Sequence, residues 1–302
     1  MTAAVFDAPA APRGFRAWAA RRPVTAFHVL LFGLGYPIMA LPILAHRGVL
    51  PGGDLPARIG LDTERAAALL MTLGVMLPAV LWVTWAAEGR DGLRALGARM
   101  VRWRIGAVWW AVVLAGLPLL TLAIARLLGA TPRTIDDPAA WAVGQLGGLL
   151  AGFLIINLWE ESSWAGFVQT RLERRHSLGV AALLTAVPFA LIHMPLQMIG
   201  PFTLGSLGIA FALILLIGSM VRLLIGVFLR ATGDSLLAAG LLHSVFNRSN
   251  NNDGLVASLV EGDERQMAAF LATIALLVAV AAVKRRRLGR AARLELDARR
   301  GA

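Results

Sequence analysis

The chain is a succession of apolar runs, most of them about 20 residues long, separated by short segments that carry nearly all the charge. Coiled as an α-helix, such a run matches the hydrocarbon thickness of a bilayer. Runs this long and this apolar read as membrane-spanning helices. The expectation is an all-α polytopic membrane protein with about eight transmembrane helices. The spans fall near 25–45, 66–88, 105–128, 141–170, 178–200, 203–229, 234–248 and 267–283. Composition agrees: 58% of the 302 residues are hydrophobic and 16% are charged, unlike a soluble domain. The 234–248 run is short for a full crossing of ~20 residues, but Asp234 and Ser235 are candidate N-caps for it. With no cysteine in the chain, disulfides, thiolate metal sites and cysteine nucleophiles are excluded.

Charge gives the organisation. Residues 1–24, rich in Ala and Pro with Arg13, Arg16, Arg21 and Arg22, read as an N-terminal tail. The apolar stretch after it is longer than the h-region of a signal peptide and carries His28, Tyr36 and two prolines, so it reads as a retained first helix. Residues 25–283 form the membrane domain and 284–302 a basic tail. Eight spans put both tails on one side. With them lie the loops holding Arg90, Arg94, Arg99, Arg102 and Arg104, then Arg171, Arg174 and Arg175, then Arg230. The opposite loops hold fewer arginines and most of the acids, among them Asp54, Asp62, Asp136, Asp137, Asp253, Glu261, Asp263 and Glu264. The positive-inside rule then makes both termini cytoplasmic. It also explains the net charge of +11 as membrane anchoring, with no nucleic acid as partner. No internal repeat is visible, which disfavours an inverted-repeat transporter.

Polar groups inside the apolar runs mark the functional region. Glu160 and Glu161 lie in LIINLWEESSWAGF, His193 in LTAVPFALIHMPL, and His243 with Asn247 in LLAAGLLHSVFN. A charged side chain at bilayer depth costs about 2.5–3.5 kcal/mol on insertion scales, so several of them predict one shared polar site. Adjacent glutamates on a helix point about 100° apart and are not expected to face one partner head-on. One can hold a reacting water while the other orients a neighbour. Phe189 and His193, four apart, share a helix face, with Pro188 and Pro195 bracketing them and freeing carbonyls nearby. His243 and Asn247 repeat the spacing and offer an imidazole N–H and an amide NH2. Paired donors in a dry site suit a developing oxyanion. His28, His46 and His176 read as bystanders, and Trp103, Trp109 and Trp110 as interface anchors. Trp164, beside the glutamates, is taken as pocket-lining together with Phe189.

The ordered set EE…FxxxH…HxxxN, each part on its own apolar segment, resembles the CPBP family of intramembrane proteases. That family comprises the type II CAAX prenyl endopeptidases and the bacterial Abi proteins of bacteriocin processing and immunity. The likeness covers about 140–250. The stretch Glu160-Glu161-Ser-Ser-Trp-Ala-Gly-Phe is also similar to the family's EExxxR-G-F/Y signature, with Ala165 where the arginine is expected. Arg171 or Arg222 could supply the missing charge. The resemblance implies that Glu160 activates water with help from His193, and that His243 and Asn247 stabilise the oxyanion. The family is often labelled metalloprotease, and Glu160, His193 and His243 are one conceivable zinc set. No HExxH helix is present, and the reading leans to a glutamate mechanism without metal.

Counting along the helices places this site in the half nearer the basic loops, provided that 176–182 extends beyond the membrane. The expected function is an intramembrane endopeptidase acting on a membrane-associated peptide or protein near the cytoplasmic leaflet of the lipid bilayer, with a bacterial plasma membrane suggested by the Arg/Ala-rich composition. The alternative is a non-catalytic scaffold or immunity-like protein that keeps the fold, which Ala165 favours. A proton-coupled transporter is a third class, for which Glu and His relays are also expected.

Overall fold

A computed structural model describes residues 14–300, with side chains described through residue 283. Of the two expected tails, residues 1–13 and 301–302, together with the side chains of 284–300, lie outside the described residues. The remainder is a helical bundle: α1 Gly14–Arg21, α2 Pro23–His46, α3 Thr63–Met100, α4 Ala107–Leu127, α5 Pro138–Leu172, α6 Leu178–His193, α7 Leu204–Ala231, α8 Leu236–Asn250 and α9 Glu264–Arg300. The only strands among the described residues are β1 Thr131–Pro132 and β2 Val260–Glu261, a short antiparallel ribbon. The protein is an all-α polytopic membrane protein, as its apolar runs predict. Among the described residues, seven helices are long and apolar enough to cross a membrane. The eighth expected span is α8, whose 15 residues reach only ~22 Å at 1.5 Å per residue.

α8 is short because its start is drawn into the bundle. Gly233 and Asp234 adopt positive φ, 64° and 72°, a conformation that few non-glycine residues tolerate. Asp234 is held there by Arg99 (2.7 Å) and Gly233 by Arg102, whose guanidinium donates to its carbonyl at 2.6 Å. Ser235, fully buried, is the N-cap: its hydroxyl accepts from the N–H of Ala238 and donates to Arg102 O. Asp234 is thus a latch residue and does not share in capping.

The two ends of the bundle differ in the way the sequence predicts. Residues 88–102, 171–174 and 230–235 meet at one end through Glu88–Arg171, Glu173–Arg230 and Arg99–Asp234. Residues 47–65, 131–133, 198–200 and 251–261 meet at the other. There Arg47 donates to the carbonyls of Met198 and Gly200, Arg65 pairs with Asp253, and β1 pairs with β2. α1 packs on the first end, with Phe15 stacked on Trp82 and Arg16 over Trp85.

Among the described residues two large apolar cores fill the interior, beside a small cluster of Ala125, Ala130, Val256, Val260 and Ala268. One large core gathers Phe27, Leu31, Met39, Met76 and Val80 around α2 and α3. The other gathers Trp109, Leu117, Leu224, Phe228, Leu236 and Leu242 around α4, α7 and α8. α5 runs between them, with Trp164 and Phe167 in the first core and Ala165 in the second. The glutamate pair, one turn earlier on α5, therefore sits at the seam.

Candidate functional site

Two π-helical turns, Gly152–Asn157 and Trp164–Gln169, bracket the glutamates on α5. Such turns widen the coil by one residue and are frequent at functional sites. α8 crosses here at close range because Gly240 has no side chain. A Cβ at that position would lie 2.9 Å from Leu158 Cα and 3.3 Å from Asn157 O. This approach brings His243 against both glutamates.

Glu161 is fully buried, and so is its partner Arg222 on α7. The guanidinium grips the carboxylate with both Nη atoms, Nη1 donating to Oε2 at 2.9 Å and Nη2 to Oε1. A forked pair of this kind matches planar donor to planar acceptor and compensates two charges that could not stand alone in the interior. Arg222 therefore takes the place of the arginine missing at position 165, where Ala165 is buried in the second core. Arg171, the other candidate, is engaged elsewhere: it pairs with Glu88 at 2.6 Å and stacks on Phe167.

His243 Nδ1 lies 2.7 Å from Glu161 Oε1. A carboxylate gripped by arginine only accepts, so Nδ1 carries the hydrogen and Nε2 is left as the ring's second polar atom. His193 is fixed in the same sense. Its Nδ1 is 2.7 Å from the carbonyl of Phe189, which also only accepts. Pro195 has no N–H for Leu191 O; that carbonyl accepts from the Met194 N–H and, at 2.7 Å, from the Tyr36 hydroxyl. Both histidines thus present Nε2 as a base or acceptor when neutral. The donor role expected for His243 toward an oxyanion requires its protonated form, whereas the amide of Asn247 donates in any state.

Glu160 differs from its neighbour. It receives Asn157 Nδ2–H at 3.2 Å, stands 3.7 Å from His243 Nδ1, and keeps 15% of its side chain exposed. The two glutamates do converge on one imidazole, contrary to the expectation from a 100° offset, because His243 sits in the angle between them. Glu160, Phe189, His193, His243 and Asn247 all line one cavity of about 310 Å³. Phe189 is its hinge: the ring lies 4.5 Å from His193, 6.3 Å from His243 and 5.1 Å from the Arg222 guanidinium. Gly218 makes room for it, since a Cβ there would meet the ring at 3.1 Å.

Several expectations need correction. Trp164 does not line the cavity. It is fully buried behind Phe189, edge-on to that ring at 6.0 Å and to Phe27 at 5.9 Å. The zinc set does not assemble: among the described residues no group of three or more His, Cys, Asp or Glu is placed to hold a metal ion. Glu160, His193 and His243 share a cavity wall without converging on a point, so the metalloprotease label finds no support in the donor geometry. The direction in which the cavity opens is a separate matter from the expected depth of the site. The cavity extends toward Glu64, Asn250 and Asn251, at the end opposite the basic loops. His28, His46 and His176 are not on the cavity wall.

One contributor escaped the motif reading, and another was one of two candidates. Asn157 lies three residues before Glu160, a spacing that places it on the same helix face. Arg222 interrupts the run LIGSMVRLLIGVF, and a charge at such depth is itself the signal of a partner.

Residues 142–249 match the family model described as type II CAAX prenyl endopeptidase Rce1-like. The matched stretch contains all five polar site residues and coincides with the 140–250 core that the motifs delimit. No curated protein matches the chain. At the family level this region is similar to CAAX-type intramembrane proteases, the family to which EE…FxxxH…HxxxN pointed.

Proposed function

We propose that the chain is an intramembrane endopeptidase in which Glu160 is the general base. A water in the cavity gives its proton to the Glu160 carboxylate, with His193 Nε2 as second acceptor. The hydroxide attacks the scissile carbonyl carbon. Asn247 donates its amide N–H to the oxyanion, and His243 donates through Nε2 when protonated, its charge stabilised by the Glu161 carboxylate. Collapse of the intermediate breaks the C–N bond, and the proton held by Glu160 passes to the leaving amine. The substrate is a membrane-associated peptide or protein, and a prenyl group is not required by this chemistry.

The observation that carries the reading is the division of labour between adjacent carboxylates. Glu161 is neutralised by Arg222 and turned to hold His243, while Glu160 alone faces the cavity. The same observation weakens the scaffold reading, whose main support was Ala165. The test is a comparison of newly exposed N-termini by mass spectrometry, in membranes of cells expressing wild type or Glu160→Gln at equal levels. Peptides present only with wild type establish proteolysis and identify the substrate. Identical profiles would sink the proposal in favour of a non-catalytic scaffold or immunity-like protein.

A further inference from the structure

The catalytic cavity does not end at Asn247. A second cavity of about 510 Å³ adjoins it, and the two share Glu64, Asn250 and Asn251 as wall residues. The second cavity is lined by polar and charged residues, Asp62, Arg65 and Asp253 among them. A hollow with so polar a wall holds water, and it leads from the site to one end of the bundle. That end is identified by its contacts. Glu64 lies in the first turn of α3, and Asn250 and Asn251 lie at the close of α8, whose buried start is tied to Arg102 at the other end.

The loops at the hollow end are the arginine-poor, acid-rich ones, and those at the closed end are the basic ones. Positively charged loops stay in the cytoplasm. We infer that the site is reached through an aqueous vestibule from the non-cytoplasmic face, so that its substrate is a polypeptide segment presented on that face. The sidedness is independent of catalysis; the nature of the substrate rests on the proteolytic reading above. A lipidated protein held on the cytoplasmic leaflet would approach the closed end, where helices meet through Glu88–Arg171 and Arg99–Asp234.

The absence of cysteine from the chain makes the test direct. Single variants Asn251→Cys and Glu64→Cys at the shared wall, Ala68→Cys inside the catalytic cavity and Arg94→Cys on the basic loop are placed in sealed right-side-out vesicles. They are then treated with a small membrane-impermeant thiol reagent. Asn251→Cys, Glu64→Cys and Ala68→Cys are expected to react at once, and Arg94→Cys only after permeabilisation, with at least a tenfold difference in rate. The reverse pattern would overturn the sidedness. Reaction at Asn251→Cys and Glu64→Cys without reaction at Ala68→Cys would overturn the continuity of the two cavities. Neither result depends on activity, so a failed search for cleavage products leaves this inference standing.

Discussion

The two ends of the bundle use the same ionic chemistry to opposite effect. At the basic end Arg171 and Arg99 are largely buried, with 9% and 15% of their side chains exposed, and each joins helices far apart in sequence. Glu173 and Arg230 add a third bond between helices, more exposed at 20% and 42% of their side chains. At the other end the arginines of the ion pairs are half exposed or more, 69% for Arg58, 58% for Arg65 and 50% for Arg133. Exposed pairs contribute about 0–1 kcal/mol; partly buried ones, with hydrogen bonds to carbonyls as well, contribute more. One end is latched and the other is a wet rim. Between them lies the dry Glu161–Arg222 pair, which separates the latch from the cavity. The comparison teaches that rigidity is placed behind the site and access in front of it.

The largest effect should come from the boundary itself. Arg222→Leu leaves the Glu161 carboxylate buried without its arginine, a loss of about 3–5 kcal/mol, with catalysis abolished because the carboxylate that orients His243 is no longer held in place. Thermal unfolding in detergent measures the first, and release of the new N-terminus measures the second. Adding Ala165→Arg to Arg222→Ala should recover part of both, since that position lies one turn from Glu161 on α5. No recovery would mean that the guanidinium must come from α7. Gly240→Ala comes next. Its Cβ would press on Leu158 Cα, and overpacking of this kind costs about 1–3 kcal/mol. His243 is pushed from Glu161, so turnover should fall further than stability. A variant that unfolds at lower temperature yet cleaves at the wild-type rate would show that the α5–α8 approach is not what positions the imidazole.

How much of this was legible in the sequence follows from the range of the forces involved. Apolar runs of bilayer length specify helices locally, so the eight segments could be read off, including the short 234–248 run that became α8. The site was legible because burying Glu160, Glu161, His193, His243 and Asn247 among apolar residues is too costly to be incidental. Partners were not legible. Which of Arg171 and Arg222 faces Glu161 depends on how α7 packs on α5, and nothing in either segment encodes that register. The convergence of both glutamates on His243 failed as an expectation for the same reason: the 100° offset is a property of one helix, whereas the ring arrives from another. Trp164 was misplaced because adjacency along α5 says nothing about which core a side chain enters. The direction of the cavity was not legible either, because it depends on how the start of α3, at Glu64, meets the close of α8, at Asn250 and Asn251.

A paired prediction tests the contrast between the ends at the smallest scale. Arg99→Ala removes bonds to Asp234 and to the carbonyl of Gly166, 2.7 and 2.8 Å long. With Arg99 mostly buried and Asp234 about half exposed, the loss should be about 1–2 kcal/mol after solvent screening. It should appear as faster proteolytic nicking near residues 231–235, where the start of α8 is released. Arg65→Ala removes pairs with Asp62 and Asp253 of similar length, 3.0 and 2.6 Å, but all three side chains are more than half exposed. Their carboxylates remain hydrated without the arginine, so the change in stability should stay below about 0.5 kcal/mol. It should shrink further at high salt, where exposed charges are screened. Distance alone would rank the two substitutions as equals; burial separates them. Equal losses would mean that the rim is as rigid as the latch, and the division of the bundle into a closed end and an open one would have to be abandoned.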